Sequence, residues 1–264
     1  TEIIDYDPDS ISRYSKKYGL ALSQEEIYYV SEFYKRINRK ISDLELMMFA
    51  QVNSEHCRHK IFNSNFVTNG SITKDTPFQL IKETFKKNSD GVEVAYIDNA
   101  AVVTGFNCKR LFPKQNDDWK YSVSEGINDF TFKAETHNHP TGISPFPGAA
   151  TGAGGEIRDE SATGKGGFPI AGFVGFTVSK LDFEEPYFSD GRATSLGIMT
   201  QGPLGSSDFS NEFGRPTVCG YFRSFEEYHD GQYWGFRKPI MFAGGVGLIG
   251  RENIKKGKIK TGDL

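Results

Sequence analysis

The sequence has few cysteines and no long apolar run. Its three cysteines, Cys57, Cys108 and Cys219, lie far apart in 264 residues. An odd and sparse set argues against a disulfide framework and suits the reducing cytoplasm. The longest apolar stretch, 168–178, is about half of the roughly 20 residues that a membrane-spanning helix needs. We therefore expect a soluble cytoplasmic protein that neither spans nor binds a membrane.

The chain also lacks an excess of positive charge. With 31 Lys and Arg against 34 Asp and Glu, its formal net charge is -3, so it has no overall basic footprint for nucleic acid. Hydrophobic residues make up 37% and charged residues 25% of the chain, which is typical of a globular protein with a buried core. What stands out is the number of glycines, 29, and their clustering.

Glycine is nearly absent from residues 1 to about 61, where apolar residues recur at helical spacing. One predicted helix covers residues 24–38, with Ser23 as its N-cap. A second predicted helix begins near Ser42, and Glu45 three residues later completes a capping box. This part of the chain therefore predicts a small helical unit.

Strand-like patterns follow in the rest of the chain. They lie at residues 92–97, 131–139, 169–180 and 239–250. The polar segment 108–129 is expected to be irregular. Because strands and helices alternate without regular βαβ spacing, the predicted fold class is α+β with a mixed sheet, not a Rossmann fold.

The segment TFKAETHNH, residues 131–139, carries the clearest chemical pattern. Alternate side chains of a strand share one face. One face is therefore predicted to gather Thr131, Lys133, Glu135, His137 and His139. The other face, with Phe130, Phe132 and Ala134, is expected to point to the core, and Pro140 is expected to end the strand. An ordinary solvated strand face is the alternative, but it does not explain two of the five histidines of the chain.

A glycine-rich stretch, residues 148–159, follows this strand and is predicted to be a loop. Backbone N–H groups of glycines can approach a phosphate closely. Arg158 could bind phosphate or carboxylate, and Glu156 and Asp159 could hold Mg²⁺. The stretch contains no P-loop signature, and no strand precedes it directly as a dinucleotide fingerprint requires. A loop without a binding function is the alternative.

The segment SEHCRHK, residues 54–60, combines two histidines and a cysteine. On a helix, His56 and His59 would be neighbours three residues apart. Three interpretations compete here: a basic helix terminus, a fragment of a zinc site, and a Cys57 nucleophile paired with histidine. Zinc would need further ligands at suitable spacing, which the other two cysteines do not supply.

Taken together, these segments resemble the formylglycinamide ribonucleotide amidotransferases of purine biosynthesis, in their large single-chain form. The resemblance rests on FAQVNSEHCRHKIFN (49–63), FKAETHNHPTGISPFPGAATGAGGEIRDESATGKG (132–166) and NEFGRPTVCGYFR (211–223). It implies a helical linker at residues 1–61. It also implies a first synthetase lobe at residues 62–264, resembling the N-terminal domain of aminoimidazole ribonucleotide synthetase.

The resemblance implies an ATP-dependent ligase that works with Mg²⁺. In this family, ATP phosphorylates the amide oxygen of formylglycinamide ribonucleotide, and ammonia then displaces phosphate from the iminophosphate. The matching catalytic positions are His56 and His137, the latter as proton acceptor. The ATP contacts are His59, where the small forms of the family have tyrosine, and Lys133. The magnesium ligands are Glu135 and Asp159. The substrate-binding positions are Thr136, His137, Asn138, His139 and Arg158.

The family also implies partners for this chain. They are a second synthetase lobe, which packs sheet to sheet against the first, and a glutaminase domain that releases ammonia from glutamine. None of the three cysteines lies in a glutaminase nucleophile turn. We therefore expect an excised fragment that is inactive alone and associates with a copy of itself. Two other functions remain open: a metallohydrolase that binds its metal through Glu135, His137 and His139, and a non-catalytic nucleotide-binding lobe.

Overall fold

The computed structural model describes residues 2–53, 59–114, 118–181, 191–258 and 260–262, with only the backbone at residue 60. The chain divides into two compact units, Thr1–Lys87 and Asn88–Leu264. The predicted boundary between linker and lobe at residues 61 and 62 stays a prediction, because a division by compactness does not test it. Within the described ranges, no helix combines the length and the apolar character needed to cross a bilayer.

The first unit is mainly helical, as predicted. Its helices are α1 (Pro8–Tyr18), α2 (Gln24–Arg36), α3 (Asp43–Asn53), α4 (His59–Phe62) and α5 (Pro77–Lys87). Its short strands are β1 (Ile3–Ile4), β2 (Ile41–Ser42), β3 (Val67–Thr68) and β4 (Ser71–Ile72). Buried apolar side chains from α1, α2, α3 and β2 form one core, which includes Ile11, Ile27, Val30, Ile41 and Leu46.

Both predicted helix starts in this unit are confirmed. The Ser23 hydroxyl accepts from the Glu26 N–H, and the Glu26 carboxylate accepts from the Ser23 N–H. Ser42 and Glu45 form the same reciprocal pair at 3.0 and 3.2 Å. These bonds satisfy backbone donors that the first turn of a helix leaves open.

The second unit contains a six-stranded sheet in the order β5-β6-β7-β12-β8-β9. Its strands are β5 (Val92–Val94), β6 (Ala101–Lys114), β7 (Lys120–Thr136), β8 (Phe168–Val178), β9 (Thr217–Ser224) and β12 (Ile240–Gly250). A separate hairpin consists of β10 (Glu226–His229) and β11 (Gln232–Gly235). All neighbours in the large sheet are antiparallel except β8 and β9, which confirms the predicted α+β class with a mixed sheet.

Three helices accompany this sheet: α6 (Asn138–Ile143), α7 (Pro145–Ser161) and α8 (Ser195–Phe213). A core between helices and sheet contains Ala149, Phe176, Ile198, Met241 and Ala243. The segment 108–129, predicted to be irregular, instead supplies paired residues of β6 and β7 on both sides of residues 115–117. Pairing between neighbouring strands therefore overrides the low strand propensity of this polar segment.

The orientation predicted for β7 is wrong. Thr131 is fully buried on the face that contacts α7, whereas Phe132 is 46% exposed and Ala134 is exposed on the other face. We call the second surface the open face; it is formed by β7, β12, β8 and β9 and includes Phe132, Phe173, Tyr221 and Phe242. The apolar positions of β7 do not point into the core because the helices pack on its polar side.

The glycine-rich stretch is also not the predicted loop, since it lies within α7. A Cβ at Gly148 would come within 2.6 Å of the Pro140 backbone, and one at Gly154 within 2.6 Å of the Phe209 ring. Glycine is a poor helix former, but here it permits close packing of α7 against α6 and α8. Tertiary packing, not intrinsic propensity, accounts for this helix.

Candidate functional site

Strand β7 ends at Thr136, so the predicted histidine-bearing end of the strand does not form. The His137 N–H donates to the Met241 carbonyl at 2.9 Å, and His137 is the N-cap of α6. Pro140 lies in the first turn of α6, where proline is tolerated, and does not terminate the strand. Lys133 and Glu135 therefore share the helix-covered face with Thr131, while a turn places both histidines.

Lys133 lies between two carboxylates. Its Nζ is 3.1 Å from Glu135 Oε1 and 2.9 Å from Asp159 Oδ2, which joins β7 to α7. The structure thus brings together three residues that were predicted from separate segments. Arg158 adds a second cation, since its Nε donates to Asp159 Oδ1 at 3.0 Å while its side chain is 73% exposed.

The surroundings keep Lys133 and Asp159 charged. Burial acts to lower the pKa of Lys133, but hydrogen bonds to Asp159 and Glu135 outweigh it and raise that pKa above its ordinary value. Burial acts to raise the pKa of Asp159, but hydrogen bonds from Lys133 and Arg158 outweigh it and lower that pKa. Near neutral pH the site therefore offers a fixed ammonium group beside ionised carboxylate oxygen.

His137 points to the first half of α7, where its Nδ1 hydrogen-bonds the Gly148 carbonyl. A carbonyl oxygen can only accept, so Nδ1 is the nitrogen that carries the proton. In the neutral ring, Nε2 is then left as the nitrogen that can accept a proton. Neither the tautomer nor the Gly148 contact was foreseen from the sequence.

The other predicted substrate-binding residues are dispersed. Thr136 is exposed at the end of β7 and pairs with Phe242 of β12. It therefore lies on the open face, whereas Lys133 lies on the other face of the sheet. Asn138 Oδ1 accepts the Met241 N–H at 2.9 Å, and His139 is exposed on α6. Substrate binding by these residues and by Arg158 stays a prediction.

The two remaining predicted site residues, His56 and His59, fall in the sequence range of the first unit. His56, like Cys57, is outside the described residues, so its catalytic role stays a prediction. His59 begins α4, and its ring packs edge to face on Phe78 with centroids 5.3 Å apart. The ATP contact proposed for His59 also stays a prediction.

Glu156 is not placed as a magnesium ligand, which corrects one interpretation of the glycine-rich stretch. It is fully buried, and its Oε2 accepts from Arg215 Nη1 at 2.5 Å. Glu160, one turn later, accepts a 2.6 Å hydrogen bond from Thr131. We call these four residues, Thr131, Glu156, Glu160 and Arg215, the Arg215 cluster.

The Arg215 cluster shares its charges unequally. Burial raises the pKa of Glu156, and burial also raises the pKa of Glu160 to about 7. Among the described residues, Glu156 Oε1 and Glu160 Oε2 are buried without a hydrogen-bond partner. Arg215 Nη1 lies 2.5 Å from Glu156 Oε2 and 3.9 Å from Glu160 Oε2, so Glu156 is the nearer carboxyl group to the buried positive charge.

Glycines of the sheet leave room for this cluster. A Cβ at Gly245 would lie 1.9 Å from Glu156 Oε1, and one at Gly172 would lie 2.3 Å from Arg215 Nη2. A Cβ at Gly247 would lie 2.4 Å from Glu160 Oε1. Sequence reasoning missed the cluster, although glycines at alternate positions of an apolar strand indicate close approach by another element.

The carboxylates that face Lys133 suit magnesium better than a transition metal. Glu135 and Asp159 offer hard oxygen donors, and Mg²⁺ in nucleotide sites uses one or two carboxylates together with phosphate oxygens. In the described part of the chain, no group of three or more His, Cys, Asp and Glu residues could hold a metal ion. Glu135, His137 and His139 accordingly do not converge on a common point.

Part of the first unit matches a known family of protein domains. Residues 11–60 match the family model of the formylglycinamide ribonucleotide amidotransferase linker domain. Residues 11–60 are therefore similar to that linker domain. The resemblance inferred from the sequence is thereby supported in its linker part, whereas the exact bounds of the linker stay a prediction.

Solved structures from Thermotoga maritima are similar over most of the chain. Phosphoribosylformylglycinamidine synthase II is 23% identical, with 86% of this chain and 27% of that chain covered and a TM-score of 0.44. PurL complexed with ADP is 24% identical, covering 83% and 26%, with a TM-score of 0.43. PurL complexed with FGAR is 21% identical, covering 86% and 27%, with a TM-score of 0.42. This chain therefore spans about a quarter of the length of those proteins.

Proposed function

We propose that this chain is part of an ATP-dependent carbon–nitrogen ligase, a phosphoribosylformylglycinamidine synthase. The enzyme converts formylglycinamide ribonucleotide, ATP and glutamine-derived ammonia to formylglycinamidine ribonucleotide, ADP and phosphate through an iminophosphate. The observation that carries the proposal is the match of residues 11–60 to the linker domain of this enzyme. The chain spans only a quarter of its relatives, so the reaction is proposed for the whole protein.

The charged pair of β7 and α7 supports the ATP-dependent step. Lys133 holds its proton and can neutralise a phosphate oxygen as charge moves to the transferred group. Glu135 and Asp159 would hold Mg²⁺, which when bound supplies further charge neutralisation to the phosphates. Both carboxylates contact Lys133 in this structure. If a phosphate of ATP binds the Lys133 ammonium group in their place, the carboxylate oxygens become available to bind the metal.

His137 supports the amination step. When the nitrogen of ammonia forms its bond to the iminophosphate carbon, phosphate leaves with the electron pair of the broken C–O bond. The added nitrogen must lose a proton, and His137 Nε2 is the ring nitrogen that can take it, because Gly148 holds Nδ1–H. The Gly148 contact thus orients the ring and leaves Nε2 as the nitrogen that accepts the proton.

The open face supports the proposed partners. Phe132 is 46% exposed and Tyr221 is 39% exposed, and Phe173 packs on Phe242 with ring centroids 5.4 Å apart. Extended apolar surfaces of this kind mark protein interfaces. We propose that a second synthetase lobe covers this face in the whole protein, with a glutaminase domain delivering ammonia to the site. The isolated chain should then self-associate, and Phe132→Lys should shift its light-scattering mass to that of a monomer.

The direct test uses the whole protein with formylglycinamide ribonucleotide, ATP, Mg²⁺ and free ammonia, which bypasses any glutaminase. Product formation should need all four components. Lys133→Met should abolish it, whereas Lys109→Met should not, because Lys109 is an exposed lysine elsewhere in the same sheet. Absence of formylglycinamidine ribonucleotide from the unaltered, folded protein would refute the proposal.

The same preparation distinguishes the two alternatives. Tightly bound zinc at one equivalent would favour the metallohydrolase. If the protein binds ATP but does not hydrolyse it when formylglycinamide ribonucleotide and ammonia are added, the non-catalytic lobe would be favoured. The isolated chain should bind ATP·Mg²⁺ weakly or not at all and release no ammonia from glutamine.

A further inference from the structure

The Arg215 cluster lies beside the proposed ATP site but uses none of its residues. Asp159 of the site lies between Glu156 and Glu160 in the last two turns of α7. Thr131 of the cluster lies two residues before Lys133 on β7 and on the same face. Helix and strand are therefore joined by two parallel links, Thr131 to Glu160 at 2.6 Å and Lys133 to Asp159 at 2.9 Å.

Arg215 is itself held rigidly between α8 and the sheet. It follows the left-handed C-cap Gly214, and its N–H donates to the Ser210 carbonyl at 2.9 Å. The next residue, Pro216, accepts from the Gly172 N–H at 2.9 Å. The Arg215 side chain is 2% exposed and is directed at Glu156. Arg215 thus connects α7 to α8 and β8, and this connection does not involve β7.

Stability alone is a poor explanation for this arrangement. Removing three ionisable groups from water is costly, and apolar side chains of the same size often stabilise a protein equally well or better. Arg215 Nε also has no hydrogen-bond partner among the described residues. What charged and directional contacts add is a single orientation of the helix, and here that helix carries Asp159.

We propose that Arg215 is a positioning residue, which holds Glu156 and thereby fixes the last two turns of α7 so that Asp159 meets Lys133. The role in turnover rests on the proposed function, but the placement of α7 does not. The contact is indirect, since Arg215 touches neither Lys133 nor Asp159 in the described contacts. A displacement of about 1 Å at such a site can lower a rate by about 10²-fold.

The test removes the charge pair while keeping side-chain volume. In the whole protein, Arg215→Met/Glu156→Gln takes away one positive and one negative charge and keeps a side chain of similar length at each position. A matched control is Arg251→Met/Asp129→Asn, since Asp129 is also fully buried on β7 and binds Arg251 at 2.5 and 2.6 Å. The amide oxygen that Asp129→Asn introduces can still accept the Gly105 N–H, as the Asp129 carboxylate does at 2.9 Å.

Two readouts are compared for the folded variants. Amide hydrogen exchange in residues 157–161 should be faster in the Arg215 variant than in the control or the unaltered protein. Its kcat should fall by about 10²-fold, with a much smaller change in the KM for ATP. If the double variant does not fold, Arg215→Lys, which retains the charge but not the planar guanidinium, replaces it and should show the same local exchange effect.

Each outcome decides the proposal. Unchanged exchange in residues 157–161, or an equal increase throughout the second unit, would overturn it, as would a kcat that stays within about twofold of normal. If the unaltered protein forms no formylglycinamidine ribonucleotide, the proposed function fails. The exchange measurement still decides whether Arg215 positions α7 in that case.

Discussion

The Thr131 hydroxyl donates a 2.6 Å hydrogen bond to Glu160, and both residues are fully buried. This bond joins β7 to α7 immediately beside the contact of Lys133 with Asp159. The packing of the fold and the geometry of the candidate site therefore depend on the same pair of elements. Substitutions that disturb the Thr131–Glu160 hydrogen bond should therefore lower the stability of the second unit and also alter the contact of Lys133 with Asp159.

Gly245→Ala should destabilise the second unit. Its Cβ would lie 1.9 Å from Glu156 Oε1 and 2.6 Å from Arg215 Nη1, in a fully packed region. Such overpacking costs about 1–3 kcal/mol, which chemical denaturation would measure. Gly126→Ala, also in a strand of the sheet, is the control, since nothing lies within 4 Å of its added Cβ. Equal stability of the two variants would contradict the close approach at Gly245.

The sequence was sufficient to predict the helical first unit and the mixed sheet. Capping at Ser23 and Ser42 is a local property, and the structure has it as predicted. The face of β7 was not predictable in the same way. Whether Phe132 is buried depends on which side α7 packs, and the alternating pattern of one strand cannot reveal that.

The site was also predicted only in part. The chemistry of Lys133, Glu135 and Asp159 predicts a shared site, and the three side chains do meet in space. Arg215 was missed because its partner Glu156 is 59 residues away in the chain. A helix rich in glycine was equally hard to foresee, since close packing against other elements stabilises it despite its low propensity.

The stability of the unit should depend on pH through Glu160. Burial raises its pKa from 4.5 to about 7 in the folded chain. Between these values the folded chain holds a proton that the unfolded chain has lost. The contribution of Glu160 to stability is therefore full below about pH 4.5 and is lost as pH rises through 7.

Glu160→Gln mimics the protonated side chain and should remove this part of the pH dependence. Denaturation midpoints of both proteins should be compared between about pH 5 and pH 8, where the variant should change less than the unaltered protein. Glu226→Gln is a control at a partly exposed carboxylate in the β10–β11 hairpin. Parallel midpoints for the unaltered protein and Glu160→Gln would show that Glu160 is ionised throughout.

The neutral His137 ring should carry its proton on Nδ1. The Gly148 carbonyl accepts from this nitrogen and cannot donate to it. Nitrogen-15 shifts of the ring report the tautomer directly and need no enzyme activity. His139, exposed on α6, is the internal reference for a ring in solvent. A proton found on Nε2 of His137 at high pH would disprove the assignment.

Glu135 and His137 should fail differently when they are substituted in the whole protein. Glu135→Gln removes a charge that would hold Mg²⁺, so added Mg²⁺ should recover part of the lost rate. His137→Ala removes a proton-transfer group, which is commonly worth about 10²–10⁴-fold in rate. Added Mg²⁺ should not recover this loss, and ATP affinity should change little.

A magnesium titration under saturating ATP, formylglycinamide ribonucleotide and ammonia separates these two roles. Circular dichroism should first show that both variants are folded, because a purely structural role would make the rate loss follow the loss of stability. Near-normal turnover of folded His137→Ala would exclude it as the proton acceptor. Recovery of His137→Ala by Mg²⁺ without recovery of Glu135→Gln would show that the two roles are exchanged, since metal occupancy would then depend on the imidazole instead of the carboxylate.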